Sequence, residues 1–301
     1  PPAGTDWDVS LDYLSDRGIG YGSTLAYSRD DLFDIPGPYS GLWDAWFIHD
    51  RGDDNLGRLR RDLIPEKRDR GRVFGRHRHE LPEGFQFTGE VGWISDRNFL
   101  EQYYENEWDE FKDQTTGTEL KRLENNRSWS ITTDYRANDF FTVTEWFPRA
   151  DHFWLGQPLL GGWLTWFEHT SAGYGGVRVF SNPPLNPADV QIPLPWEFTT
   201  RGERIATRHE VDLPLDLGPV RVVPYALGEF AHWGEDINQN SLDRLYGQAG
   251  VRSSLPVWSS NPFYENELLN VHGVAHKIVF EGEFAYADAD AESEELPVAF
   301  G

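Results

Sequence analysis

The chain contains no cysteine. Disulfides, thiolate chemistry and cysteine-ligated zinc are therefore excluded, while an oxidising compartment stays open because it permits disulfides without requiring them. Methionine is absent too, even at position 1, and the opening Pro1-Pro2 lacks the charged and apolar regions of a signal peptide. The expectation is a single domain, 1–301, excised from a longer chain. No segment approaches 18 consecutive apolar residues, so no transmembrane helix is available. Mean hydropathy is -0.59, yet this does not exclude a membrane, since a barrel strand meets lipid with only every second side chain. Positive charge is scarce: 27 Lys and Arg against 50 Asp and Glu leave a net charge of -23. Such a field repels phosphate backbones and argues against nucleic acid as a partner. No Gly-x-Ser-x-Gly elbow and no Gly-x-x-x-x-Gly-Lys loop occurs, which removes two common catalytic frameworks.

What the chain has is aromatics, at 15%, and alternation. Trp7, Val9, Leu11 and Tyr13 alternate with Asp8, Ser10 and Asp12. The same period of two recurs over Phe85–Trp93, Trp129–Tyr135, Ile205–Leu213 and His276–Tyr286. Turns are marked by Asp16-Arg17-Gly18, Pro82-Glu83-Gly84 and Asn125-Asn126. Further strands are expected near 41–50, 72–81, 117–124, 139–147, 162–170, 173–180, 219–231 and 245–256. A dozen or more strands with little helix indicate an all-β barrel or a large sandwich.

Connections of two kinds are expected. Long ones are 30–40, a basic loop at 51–71, a proline-rich stretch at 181–196 and an acidic tail at 287–296. One segment near 97–111 reads as a short amphipathic helix, capped by Asp96, with Leu100, Tyr104, Trp108 and Phe111 on one stripe.

Alternation alone suits a soluble sandwich as well as a membrane barrel. The number of strands, the aromatics near strand ends (Trp7 and Tyr13, Trp43 and Trp46, Trp163 and Trp166) and the mixture of tight turns and long loops favour the barrel. The two differ in what covers Phe85, Phe87 and Trp93, and Ile278, Phe280 and Phe284: a second sheet in the sandwich, lipid in the barrel.

Candidate chemistry is sparse. His77-Arg78-His79 puts two imidazoles on one face of a strand, but surrounded by arginines. Asp236, Asn238, Asn240 and Asp243 have the oxygen-ligand rhythm of a calcium loop without its central glycine and terminal glutamate; an Asn/Asp-rich hairpin loop gives the same pattern. Acid pairs such as Glu101/Glu105 and Asp109/Glu110 are expected by chance in so acidic a chain. No catalytic residue, cofactor or metal is expected, and the chain is read as a transport or assembly component rather than an enzyme.

Several ordered segments resemble the barrel region of the outer-membrane LPS-assembly protein family, LptD. They are Glu90-Val-Gly-Trp-Ile-Ser-Asp-Arg-Asn-Phe-Leu-Glu-Gln-Tyr-Tyr104, Leu11-Asp-Tyr-Leu-Ser-Asp-Arg-Gly18, Asn138-Asp-Phe-Phe-Thr-Val-Thr-Glu-Trp-Phe-Pro148 and Arg244-Leu-Tyr-Gly-Gln-Ala-Gly-Val-Arg-Ser-Ser-Leu-Pro256. The resemblance implies an antiparallel transmembrane β-barrel in the outer membrane that passes lipopolysaccharide to the outer leaflet through a lateral opening. It also implies membrane lipid, a plug lipoprotein like LptE and a periplasmic bridge protein like LptA as partners. The family's N-terminal periplasmic jelly-roll has no counterpart here, and a barrel of about two dozen strands needs more chain than this, so the resemblance implies part of a wall. Another porin-like channel and a soluble all-β carbohydrate-binding or hydrolytic domain are the alternatives.

Overall fold

The computed structural model describes residues 3–58, 60–110, 114–181, 190, 192–194, 197–235, 240–291 and 296. Fourteen antiparallel strands form one sheet. They are β1 (Thr5–Leu14), β2 (Gly18–Leu32), β3 (Ile35–His49), β4 (Asp69–Glu80), β5 (Phe85–Ile94), β6 (Gly117–Glu124), β7 (Arg127–Asp134), β8 (Val143–Leu159), β9 (Leu164–Arg178), β10 (Thr200–Asp212), β11 (Leu215–Leu217), β12 (Val220–Trp233), β13 (Leu242–Asn266) and β14 (Val271–Ala289). Each pairs with its neighbour in sequence, except that β12 pairs with both β10 and the short β11. The sheet is open, with β1 and β14 as its two edges, so barrel closure is not seen among the described residues.

The turns fall into two sets. One end of the sheet carries the tight connections 33–34, 81–84, 125–126, 160–163 and 267–270. The other carries the tight turn 15–17 and the longer connections 50–68, 95–116, 135–142, 179–199 and 234–241. Gly18, Gly84 and Asn125 sit at positive φ, as their turns require.

Several expected boundaries move. Residues 30–40 are not a long connection: Phe33 and Asp34, both at positive φ, make a two-residue hairpin. Pro36 and Pro38 fit within β3 because β4 pairs with it only as far as Tyr39, leaving their missing N–H groups no ladder partner to lose on that side. The expected strands 162–170 and 173–180 are one strand, β9, running unbroken through Gly173, Gly175 and Gly176. The strand expected at 139–147 starts at Val143 and continues to Leu159. Residues 287–289 belong to β14 rather than to an acidic tail. The single helix near 97–111 is two short helices, α1 (Phe99–Tyr103) and α2 (Glu105–Asp109), broken at Tyr104, whose φ and ψ are -137° and 50°. Asp96 does not cap it; Asn98 precedes the first turn, without a side-chain cap. Phe111 and most of 181–196 lie outside the described residues.

Because residues paired across antiparallel strands project to the same side, the two faces can be followed strand by strand. One row reads Phe87, Leu120, Ile131, Ala150, Ala172 and Ile205 across six strands. The same side carries Val9, Tyr21, Trp43, Phe47, Trp93, Phe230, Val251 and Phe284. The opposite row reads Thr88, Glu119, Thr132, Arg149, Gly173 and Arg204. The sheet therefore has an apolar face and a polar face, as strict alternation dictates.

Glycines on this sheet seat aromatic rings. Trp43 of β3 lies over Gly75, its register partner on β4, where a Cβ would run into the indole. Gly75→Ala is expected to cost about 1–3 kcal/mol, by overpacking, in urea unfolding of the chain in detergent. An unchanged midpoint would show that the indole does not need that seat.

Candidate functional site

The polar face is not polar throughout. Trp46 and Ile48 of β3 and Ile94 of β5 break its alternation at the long-loop end and leave an apolar patch on the wrong side. Burial is the driving force that covers it. Phe99 and Leu100 of α1, with Phe140, pack onto the patch, and Tyr103, Tyr104 and Trp108 close around it. Trp46 keeps its indole N–H satisfied by donating to Asp12 Oδ2 at 2.9 Å. The long loops thus fold back over the polar face as a cap.

An ion cluster fastens this cap. Arg70, at the start of β4, is 1% exposed. Its guanidinium donates to Asp96 Oδ1 at 2.7 Å and Oδ2 at 3.0 Å, to Asp50 Oδ2 at 3.1 Å and to Asp54 Oδ1 at 2.5 Å. Arg17 Nη1 and Tyr103 Oη donate to the same Asp50 oxygen at 2.7 and 2.6 Å. One buried cation thus ties the 50–68 loop and the 95–116 loop to the sheet. Burial works against the charged form of Asp50, but the Tyr103 hydroxyl, the Gly52 N–H and Arg17 hold its carboxyl below the usual range. Burial pushes Asp54 up, with Arg70 working against the shift. Burial, and the neighbouring Asp50 carboxylate, push the Tyr103 phenol up, so it stays a donor. Beside α1, Arg60 holds Glu101 with two hydrogen bonds of 2.8 and 3.0 Å.

From the edge of the cap outward, the polar face is a ladder of arginines and acids. Arg72 meets Asp44 at 2.6 Å and Glu107 at 2.9 Å, Arg76 meets Glu90 at 3.0 Å, Arg149 meets Asp151 at 2.8 Å, and Arg252 meets Glu210 at 2.6 Å. A pocket of about 530 Å³ opens between α2 and the β7–β8 connection, lined largely by Leu100, Trp108, Tyr135, Phe141 and Val143.

The apolar face has no cover among the described residues. Ile278 is 44% exposed, Phe280 59% and Phe284 79%. Aromatic residues mark both ends of it: Tyr39 and Phe47 on β3, Phe85 and Trp93 on β5, Trp166 and Tyr174 on β9. Of the pairs expected at strand ends, Trp43 stands on this face, but Trp46 points to the polar side and is buried under the cap.

The residues singled out from sequence fare unevenly. Asp236 and Asn238 lie outside the described residues, Asn240 is exposed, and Asp243 lies in β13 with His232 Nδ1 2.6 Å from its Oδ1. No group of three or more metal-ligating side chains gathers among the described residues. His77 and His79 stand on the apolar face in an aromatic group, His77 Nδ1 being 2.8 Å from Tyr27 Oη. Glu101 is held by Arg60 rather than paired with Glu105. Arg70 was hidden in sequence inside a basic stretch that reads as a solvated loop. The signal that could have found it is its place in β4, opposite Ile48 and hence on the polar side. No protein-family model matches this chain, and no curated protein matches it at a significant level.

Proposed function

We propose that this chain forms part of the wall of an outer-membrane β-barrel that helps deliver lipopolysaccharide to the outer leaflet. The observation that carries the reading is the apolar face: a single sheet whose large apolar side chains have no second layer to bury them among the described residues. Soluble monomers rarely leave contiguous apolar patches beyond a few hundred Å², and hydrocarbon is the solvent that fits so wide a face. The aromatic residues bounding it on β3, β5 and β9 are eight positions apart in each strand, roughly 26 Å along the chain. At a barrel tilt near 40° this is roughly 20 Å along the membrane normal, close to the band height of such barrels. The gathering of the long connections at one end of the sheet agrees with it.

Lipopolysaccharide enters through the ordered segments that resemble LptD, from Leu11–Gly18 to Arg244–Pro256. The physics is compatible: acyl chains suit the apolar side, phosphorylated sugars suit a wall of paired arginines and acids, and open edges would let an amphiphile leave sideways. A plug lipoprotein and a periplasmic bridge protein are the partners this reading requires, and the role is transport rather than catalysis. The test is reconstitution of the chain into vesicles with brominated lipids. Trp43 and Trp93 fluorescence should be quenched, and lipopolysaccharide should stay with the chain on mild detergent extraction. A chain that remains in the aqueous fraction would sink the membrane reading. Ion conductance without lipopolysaccharide retention would point to a porin-like channel instead.

A further inference from the structure

The polar face carries one half-buried cation that lacks a counter-charge. Arg204 of β10 makes neither hydrogen bond nor ion pair with any described residue, and its Nε is buried without an acceptor. Its surroundings are not acidic enough to answer it. In register it stands opposite Gly173 on one side and Trp233 on the other, and Gly173 in turn stands opposite Arg149. Two guanidinium groups therefore flank a residue with no side chain. The carboxylates whose charge reaches it are Glu229 and Asp151. Asp151 already holds Arg149, at 2.8 and 2.9 Å, and His169 Nε2 at 2.9 Å. Glu229 is shared between Arg208 at 3.7 Å and Arg244 at 3.5 Å.

The floor beneath is dry. Trp146, Ala231 and Trp233 form a buried apolar cluster. The Arg149 and Arg204 guanidinium carbons sit 5.2 and 5.4 Å from the Trp146 and Trp233 ring centroids. Arg244, one row along, faces Ala231. Its Nε and the Trp233 Nε1 are also buried donors without an acceptor. Three orphaned donors, one of them on the unpaired guanidinium itself, lack one kind of group: an oxyanion able to accept from several directions. In a chain of net charge -23, an unneutralised arginine in such a place is not a by-product of composition.

We propose that Arg204, with Arg149 and Arg244 beside it, is an anion subsite on the polar wall that takes a phosphate-type oxyanion. Planar guanidinium groups match such an anion in geometry as well as charge. The anion is either the phosphorylated head group of a glycolipid or free phosphate. The inference deepens the transport reading, because a phosphorylated amphiphile moving along the wall would be held there by its head group.

The experiment is a binding titration of the whole chain folded in detergent micelles, followed by tryptophan fluorescence. Inorganic phosphate is one probe, and a bis-phosphorylated lipid A dispersed in the same detergent is the other. Arg204→Gln should weaken binding about tenfold or more, Arg204→Lys should retain part of it, and Arg76→Gln, whose cation is paired with Glu90 elsewhere on the face, should stay within about twofold. Should Arg204→Gln not fold, Arg244→Gln is expected to weaken binding in the same direction. Arg204-dependent binding of phosphate alone identifies a free-ion site, and binding of the glycolipid alone identifies a head-group site. The proposal is overturned by no binding of either probe at millimolar concentration, by unchanged affinity in Arg204→Gln, or by an equal loss in Arg76→Gln. Micelle binding does not depend on vesicle insertion, so either result can fail without the other.

Discussion

Arg70→Ala is expected to destabilise the folded chain by about 3–5 kcal/mol, because it leaves Asp50, Asp54 and Asp96 buried beside one another without the cation they share, Arg17 still answering Asp50 and Asp54. The loss should centre on the cap. Limited proteolysis in the 50–68 and 95–116 loops should accelerate while the strands remain protected, since Arg70 is the buried cation that both loops share, although Arg72 still holds Glu107 of α2. The pH dependence has a definite sign. In the variant Asp54, already pushed up by burial, loses the Arg70 charge that works against the shift, so its folded pKa lies further above the unfolded value of about 3.9. The folded form then binds protons more tightly than the unfolded chain and gains stability as pH falls through those values. The gap between variant and parent should narrow below about pH 5. A gap that stays constant between pH 7 and pH 4 would show that charge burial is not the cause. Arg70→Met, matched in length but uncharged, should behave like Arg70→Ala if charge rather than packing dominates.

Ile131→Arg should cost about 2–4 kcal/mol of stability in lipid vesicles, the cost of a charged side chain placed near the bilayer midplane. Ile131 lies in the middle of β7 on the apolar face and is 44% exposed. Ser130→Arg, one residue away on the polar face and in register with Asp151, should change stability by no more than about 0.5 kcal/mol. The contrast is the measurement. If the apolar face met water, Ile131→Arg would be as harmless as its neighbour in equilibrium unfolding from vesicles, and equal costs for the two would remove the membrane reading.

The strands were legible because a period of two is a local signal that survives wherever one face differs from the other. Trp7 to Tyr13 and Trp129 to Tyr135 needed no knowledge of their partners. Turns with a required left-handed residue, at Gly18, Gly84 and Asn125, were legible for the same reason. What failed depended on distant residues. The boundary expected between 170 and 173 disappears only when Ser171 and Ala172 are seen paired to β8 and β10 on either side. Pro36 and Pro38 read as loop until β4 is seen to stop short of them. Arg70 reads as solvated, as arginines usually are, until three aspartates from two separate loops converge on it. Arg204 is invisible to sequence altogether, because lacking a partner is a property of the assembled face. The apolar face was legible as alternation, but whether another sheet covers it is a tertiary fact.

The separation of tight turns from long loops also shapes how the chain would fold. Nearly every pairing joins sequence neighbours, so contact order is low for so large a sheet, and no distant segment must be found before structure can grow. Closing a connection of roughly twenty residues costs about 2 kcal/mol more chain entropy than closing one of two. Hairpins about 33–34, 81–84, 125–126, 160–163 and 267–270 should therefore nucleate first and behave as units. The pairings across 50–68, 95–116 and 179–199 would then zip those units together. The sheet would assemble from these hairpins, β1 joining the first of them through its own short turn at 15–17, with the cap around Arg70 as one of the last joins.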